Sequence, residues 1–414
     1  MNSDRNSATP IQIGTPILEA PAATGSQDQH MILNMGPQHP AMHGVLRLVV
    51  EIDGEIVVRL QPEIGYLHTG IEKTCEAKFY HQIVPLTDRL DYLSPMANNL
   101  CYCLAVEKLL GLEIPEKAQW LRVLLAELTR LNSHLIWLGT HAMDIGALTV
   151  FLYTFREREE ILRIFEGLSG QRMMTSYIRI GGLAMEPPLD FFDRVQGFIK
   201  TFPEKIDEYS NLLTGNPIFR NRLKGVGILS AADAVALGVT GPNMRGSGVD
   251  FDLRRDMPYS GYEKFQFKVP IATEGDCWAR YLIRLIEMRE SVKMIQQALD
   301  GMPEGLIKAD APKIVLPDRE KMKTQMEALI HHFKIVTEGF AVPAGEVYQS
   351  IESPRGQMGY YIVSDGTAKP YRVHFRNPSF ATLQAIETMC KGRMLADVIA
   401  VVGSIDIVLG EIDR

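Results

Sequence analysis

The chain has 414 residues, 46% of them hydrophobic and 22% charged, with a formal net charge of -7. That is an ordinary globular composition, long enough for a sizeable core, and its acidic balance argues against nucleic-acid binding, which needs a basic footprint. No apolar run reaches the roughly 18 residues of a membrane span; the best candidate, 396–410, is broken by Asp397, Ser404 and Asp406.

Residues 1–30, rich in Ser, Thr, Ala, Pro and Gly with one Arg, read as a flexible N-terminal arm and fit no secretory or transit signal. Residues 31–65 read as a β-hairpin region, because VLRLVVEIDGEIVVRLQPEIG alternates apolar and polar residues around Asp53-Gly54. Residues 66–414 read as one domain with a helical core and C-terminal β elements. Helical spacing covers Leu100–Gly111, a run that Pro115 opens and that reaches about Gly139, Leu148–Gly170, and a stretch from Pro187-Pro188 to about Leu213. Residues 214–275 carry turn signals. Helices are predicted again at Cys277–Leu299 and Arg319–Phe333, short strands within 345–376, and a helix followed by a buried segment over Thr382–Gly410. The fold class is mainly α, of the α+β kind, with small β elements at either end.

The five cysteines are odd in number and form no CxxC, which predicts buried thiols in a reducing compartment rather than a disulfide framework. There is no phosphate-binding GxxxxGK[ST], no strand-embedded GxGxxG, no GxSxG and no HExxH. No set of Cys and His has metal-site spacing, so no cofactor is expected to be bound by this chain alone.

Three stretches carry candidate chemistry. In GPQHPAMHG, 36–44, Pro40 drives His39 out of helical geometry, and Pro37 and Gly44 oppose a helix as well. The His39/His43 pair therefore sits on a shaped loop, not on a metal-binding helix face. The loop either presents an imidazole for proton transfer or uses its histidines to satisfy a turn. In PLTDRLDYLSPMANN, 85–99, Asp88, Arg89, Asp91 and Tyr92 cluster; the tyrosine hydroxyl can donate to a carbonyl, or the stretch is a solvated loop with a local ion pair. In THAMDIGALT, 140–149, Asp144 interrupts an apolar run and calls for a partner, for which a histidine is suited.

LHTGIEKTCEAK, 67–78, resembles the signature of the D-type, 49-kDa subunit family of respiratory complex I (NADH–quinone oxidoreductase). GPQHPAMHG, TDRLDY, GYYIVSDG and the terminal SIDIVLGEIDR resemble that family at matching places and in the same order over residues 31–414. The resemblance implies a helical core like that of nickel–iron hydrogenase large subunits. It implies a small partner, the B-type subunit, that carries the terminal [4Fe–4S] cluster, with quinone reduced in the cleft between the two. His43 and Tyr92 then bond the headgroup carbonyls, Asp144 pairs with His43, and Val408 joins the quinone-binding wall. Arg89 and Met174 fall near the partner's cluster. Subunits B, C, H and I are the implied partners, in a proton-translocating enzyme active only as a complex. This chain would then be peripheral, on the cytoplasmic face of a bacterial inner membrane, with contact to the membrane through its partners. A related complex fed by ferredoxin or another donor would use the same kind of subunit.

Departures from the family pattern carry information too. Where the hydrogenase relatives have two CxxC pairs this chain reads DYLS, 91–94, and VLGE, 408–411; without thiolates nickel–iron chemistry is excluded. Met174 stands where many members have a histidine, so no pH-linked tuning of the cluster is expected from that position. Ile407 replaces a common proline.

Overall fold

Three strands, β1 (Met31–Met35), β2 (Arg47–Asp53) and β3 (Ile56–Glu63), pair antiparallel in that order. This computed structural model describes residues 30–414, so the arm expected at 1–30 lies outside it save for His30. The hairpin forms where the alternation placed it, but Asp53 pairs with Ile56 and the turn itself is Gly54-Glu55, with Gly54 at φ +59°. β1 was not foreseen. It is an edge strand whose Met31 and Ile32 are exposed, so it lacks the buried alternation that marks β2.

The helical core follows: α1 (Tyr80–Thr87), α2 (Pro95–Leu110), α3 (Glu116–Asp144), α4 (Leu148–Ser169), α5 (Phe191–Leu213) and α6 (Cys277–Gly301). Gly111 and Gly170 close α2 and α4 in left-handed conformation, the expected role of a C-terminal glycine. Gly139 does not end α3. A Cβ there would collide with Thr154 and Phe151 of α4, so its glycine serves close helix packing, and the helix runs on to Asp144. Arg319–Phe333 is two helices, Arg319–Thr324 and Met326–Glu338, split by an extended Gln325.

Near the C-terminus β4 (Gly345–Ser353), β5 (Gly356–Ser364) and β6 (Arg372–Arg376) form a second antiparallel sheet. Two short helices lead to α7 (Leu395–Ile405) and α8 (Leu409–Asp413). The chain is thus mainly helical with small sheets, the α+β class read from the sequence. All five cysteines are buried and free.

A buried ionic network runs through the large hydrophobic core. Glu127 of α3 accepts from Arg130, Arg254, Tyr262 and Ser291, while Arg245 binds Glu287 at 2.6 Å and Glu352 at 2.8 Å. Every one of these groups is buried. Paired in this way they avoid the several kcal/mol per ion that an uncompensated buried charge costs, and they lock α3, α6 and the β4–β5 sheet in one arrangement.

Candidate functional site

The loop 36–46 is closed at its base by Gly36, at φ +87°, where any Cβ would strike the carbonyl of Leu46. Inside it Pro40–Met42 makes one 3₁₀ turn, and His39 caps that turn: its Nδ1 accepts from the Ala41 N–H at 3.2 Å. His39 is exposed and structural. His43 ends the turn in left-handed conformation, φ +49°, and its Nε2 is enclosed without a hydrogen-bond partner. The sparsely allowed backbone at His43 aims the ring inward and away from the path of the chain.

The second candidate stretch forms the turn 91–94. The Ser94 N–H donates to the Asp91 carbonyl at 3.0 Å, and the Leu93 N–H to Asp91 Oδ1 at 3.1 Å. Tyr92 stands on this turn. Gly410 packs underneath it: a Cβ at that position would lie 2.6 Å from the Leu90 carbonyl, 2.9 Å from that of Arg89 and 3.3 Å from the Tyr92 ring. The stretches DYLS, 91–94, and VLGE, 408–411, are therefore in contact. Gly410→Ala is expected to push the Tyr92 turn away and to cost about 1–3 kcal/mol as an overpacked core. Thermal denaturation of the full chain checks this, and an unchanged midpoint would show that the turn gives way freely.

A buried arginine ties these parts together. Arg355, at the tip of the β4–β5 hairpin, donates from Nη1 to Asp91 Oδ2 at 2.5 Å, from Nε to the Asp406 carbonyl at 2.9 Å and from Nη2 to Asp406 Oδ1 at 3.2 Å. Glu411 lies beside the group, accepting from the Ser379 N–H at 3.0 Å, and burial with the nearby Asp91 pushes its carboxyl up to about 8.

Burial lowers the His43 pKa, with Asp406 opposing and Arg355 reinforcing the shift, so the imidazole is held neutral. Burial raises the Tyr92 pKa, aided by Asp91 and Glu411, so the phenol keeps its proton. Burial alone lifts Asp144 to about 6.

Of the residues singled out from the sequence, the fold gathers His43 and Tyr92 around one ionic cluster, and places Asp144 at the end of α3. No hydrogen bond joins Asp144 to His43; the carboxylate that acts most strongly on His43 is Asp406. Arg89, just past the end of α1, is exposed and donates to the Pro85 carbonyl of that helix. Its neighbour Asp88 is buried and accepts from Ser176 Oγ at 2.5 Å, which draws the segment with the half-buried Met174 towards the Tyr92 turn. Val408 is buried and opens α8, with its N–H on Ser379 Oγ at 3.3 Å; Ile407 before it is buried too. Sequence reasoning passed over Arg355 and Glu411 and met Asp406 only as a break in an apolar run. The signal available was that a charge inside so apolar a stretch needs a buried partner.

Among the described residues, no group of three or more His, Cys, Asp or Glu is arranged to hold a metal ion, and no helix is long and apolar enough to cross a membrane. The fold and site define a mainly helical protein that sets neutral, proton-bearing His and Tyr side chains beside a buried ionic cluster. Residues 144–414 match the family model of the respiratory-chain NADH dehydrogenase 49-kDa subunit. The chain is 72% identical over 400 residues to the NADH-quinone oxidoreductase D 2 subunit of Koribacter versatilis, covering 97% of this chain and 98% of that protein. It is 66% identical to the D 1 subunit of Solibacter usitatus, over 93% and 94% of the two chains, and 60% identical to the D subunit of Geotalea uraniireducens, over 93% and 98%. The chain belongs to the 49-kDa subunit family of the respiratory-chain NADH dehydrogenase, and is a subunit of an oxidoreductase complex.

Proposed function

We propose that this chain, with a B-type partner subunit, forms the cavity in which a quinone headgroup is reduced, within a proton-translocating NADH–quinone oxidoreductase. One observation carries the reading. His43 and Tyr92 stand on two turns and are both neutral; the His43 Nε2 is buried without a partner, and the Tyr92 hydroxyl makes no hydrogen bond among the described residues. A [4Fe–4S] cluster in the partner would supply the electrons, and Arg89 and Met174 would lie on the side nearest to it.

Making a quinol from a quinone takes two electrons and two protons. The Tyr92 hydroxyl and a His43 N–H would each donate a hydrogen bond to one headgroup oxygen and pass the proton as negative charge develops there. Val408 would supply apolar wall. Asp144 would serve as a proton reserve behind His43. Subunits C, H and I would complete the assembly and its contact with the cytoplasmic face of the inner membrane. The direct test is quinone reduction by the assembled complex carrying Tyr92→Phe.

Asp144→Asn tests the reserve. The folded-state pKa of about 6 lies above the ordinary 3.8. Asp144 therefore contributes stability below about pH 4 that is lost as pH rises through 6. The asparagine variant is expected to match the wild type near pH 4 and to exceed it near pH 8. The gain is on the order of 1 kcal/mol once partial exposure is discounted, and quinone reduction falls moderately. Lower stability near pH 8 would reveal a cation paired with the carboxylate.

A further inference from the structure

His141, one turn before Asp144 on α3, is fully buried and makes no hydrogen bond through either ring nitrogen. Its ring stacks on Trp137, 5.5 Å between centroids at 18°, and meets Phe219 edge-on at 6.1 Å. The position is fixed by packing alone. A leucine would fill such a slot without two orphaned polar atoms, each of which costs about 1–3 kcal/mol when buried unpaired.

Gly403 of α7 shows what the ring faces. A Cβ at Gly403 would lie 2.5 Å from His141 Nδ1 and 3.5 Å from Asp144 Oδ2. Both atoms therefore border one spot, kept free of side chain by a glycine that has a helical backbone and no need of positive φ. His43 is near enough to act on His141 by its charge. The loop that carries His43 packs on α7 as well.

We propose that His141 is a proton-relay and positioning residue between Asp144 and His43. The relay presupposes that His43 meets the quinone headgroup. The Asp144 carboxyl gives its proton to one nitrogen of His141 while the other nitrogen passes its own to His43. His43 in turn releases its N–H proton to the headgroup oxygen. One O–H bond breaks at Asp144, one N–H bond breaks and one forms on each ring, and one O–H bond forms on the quinol, whose electrons come from the partner's cluster. Rotation of each ring about its Cβ–Cγ bond restores the starting tautomers, and Asp144, half-buried at the helix end, takes up the next proton from outside.

The surroundings suit a neutral relay. The cations Arg280 and Arg284 of α6 face the ring; Arg280 donates to Ser404 Oγ, Gly275 and Gly227, and Arg284 to Ser404 and Asn243, with no carboxylate hydrogen-bonded to either. Burial and these two charges, with His43, hold the His141 pKa down at about 3. From α7 it meets Gly403, and from the helix Pro217–Leu223 it meets Phe219, neither titratable. The ring passes a proton without stopping as a cation.

The experiment uses the assembled complex with His141→Phe, which keeps the stacking and removes both nitrogens, and with His141→Gln, which keeps polarity but cannot relay. Quinone reduction is followed across pH as a ratio to wild type, beside Tyr92→Phe. Expected is a fall of about tenfold or more, as for a lost proton-transfer group. The rise in wild-type rate as pH drops through about 6, where Asp144 loads, is expected to vanish in both variants. Variants that follow the wild-type profile while Tyr92→Phe is impaired overturn the relay and leave the quinone site standing. Near-wild-type turnover in Tyr92→Phe overturns the site itself. Failure of both His141 variants to fold assigns the residue to packing and also overturns the relay.

Discussion

Tyr92→Phe is expected to leave the fold intact and to cut quinone reduction by about 100-fold or more, the range set by loss of a positioned proton donor. The fold should not notice. The hydroxyl bonds to no group among the described residues, and the turn beneath it is held by Asp91, Ser94 and Arg355 through other atoms. The ring, and its contact with Gly410, survive in phenylalanine. Rate is another matter, because a neutral phenol with a raised pKa gives up its proton only to an oxygen that gains negative charge during reduction. The measurement is NADH-driven quinone turnover in the assembled complex carrying the variant, next to wild type. Turnover near wild type would remove Tyr92 from the site.

Much of this architecture could be read from residue order. Helical period and capping glycines place α2, α4, α5 and α6 to within a few residues, and alternation places β2 and β3. Failures came where long-range packing overrides a local signal. Gly139 reads as a stop and is a contact; Gln325 carries no breaker chemistry and breaks a helix. Of the site, the proton-bearing residues were legible by side-chain type and by resemblance to a known family. Their support was not. Arg355 reaches Asp91 across 264 positions and sits at the tip of a hairpin, and no periodicity encodes such a pair. The pairing expected for Asp144 and His43 is not a direct hydrogen bond; His141, in the same stretch as Asp144, drew no reading from the sequence and is buried beside Gly403.

The second large effect belongs to Arg355. Arg355→Met is expected to lower the stability of the full chain by about 3–5 kcal/mol, the usual result of stripping one partner from a buried ion pair. Three donors vanish at once, from Asp91 Oδ2, the Asp406 carbonyl and Asp406 Oδ1, and leave two carboxylates facing each other beside Glu411. The sign of the pH dependence follows. Without the cation, which lowers both, Asp91 and Glu411 titrate still higher in the folded state than unfolded, so stability remains at low pH and is lost as pH rises through the raised values. The deficit should thus be largest above neutrality and shrink towards about pH 4. Arg355→Lys keeps the charge but not the three-pronged fork, and should fall between. Adding Asp91→Asn to Arg355→Met should recover part of the loss, because it removes a carboxylate that has lost its partner; a double-mutant cycle with no coupling would contradict the pairing. His43 reports the same change from the functional side. With Arg355 gone, burial still holds the His43 pKa down, but the smaller lowering influence of the guanidinium is lost and Asp406 still pulls upward, so the His43 pKa rises. A variant that stays within about 1 kcal/mol of wild type, with an unshifted His43, would show that the hairpin tip is a bystander. The outcome expected here is that one buried guanidinium holds the Tyr92 turn against the C-terminal segment and contributes to keeping His43 neutral.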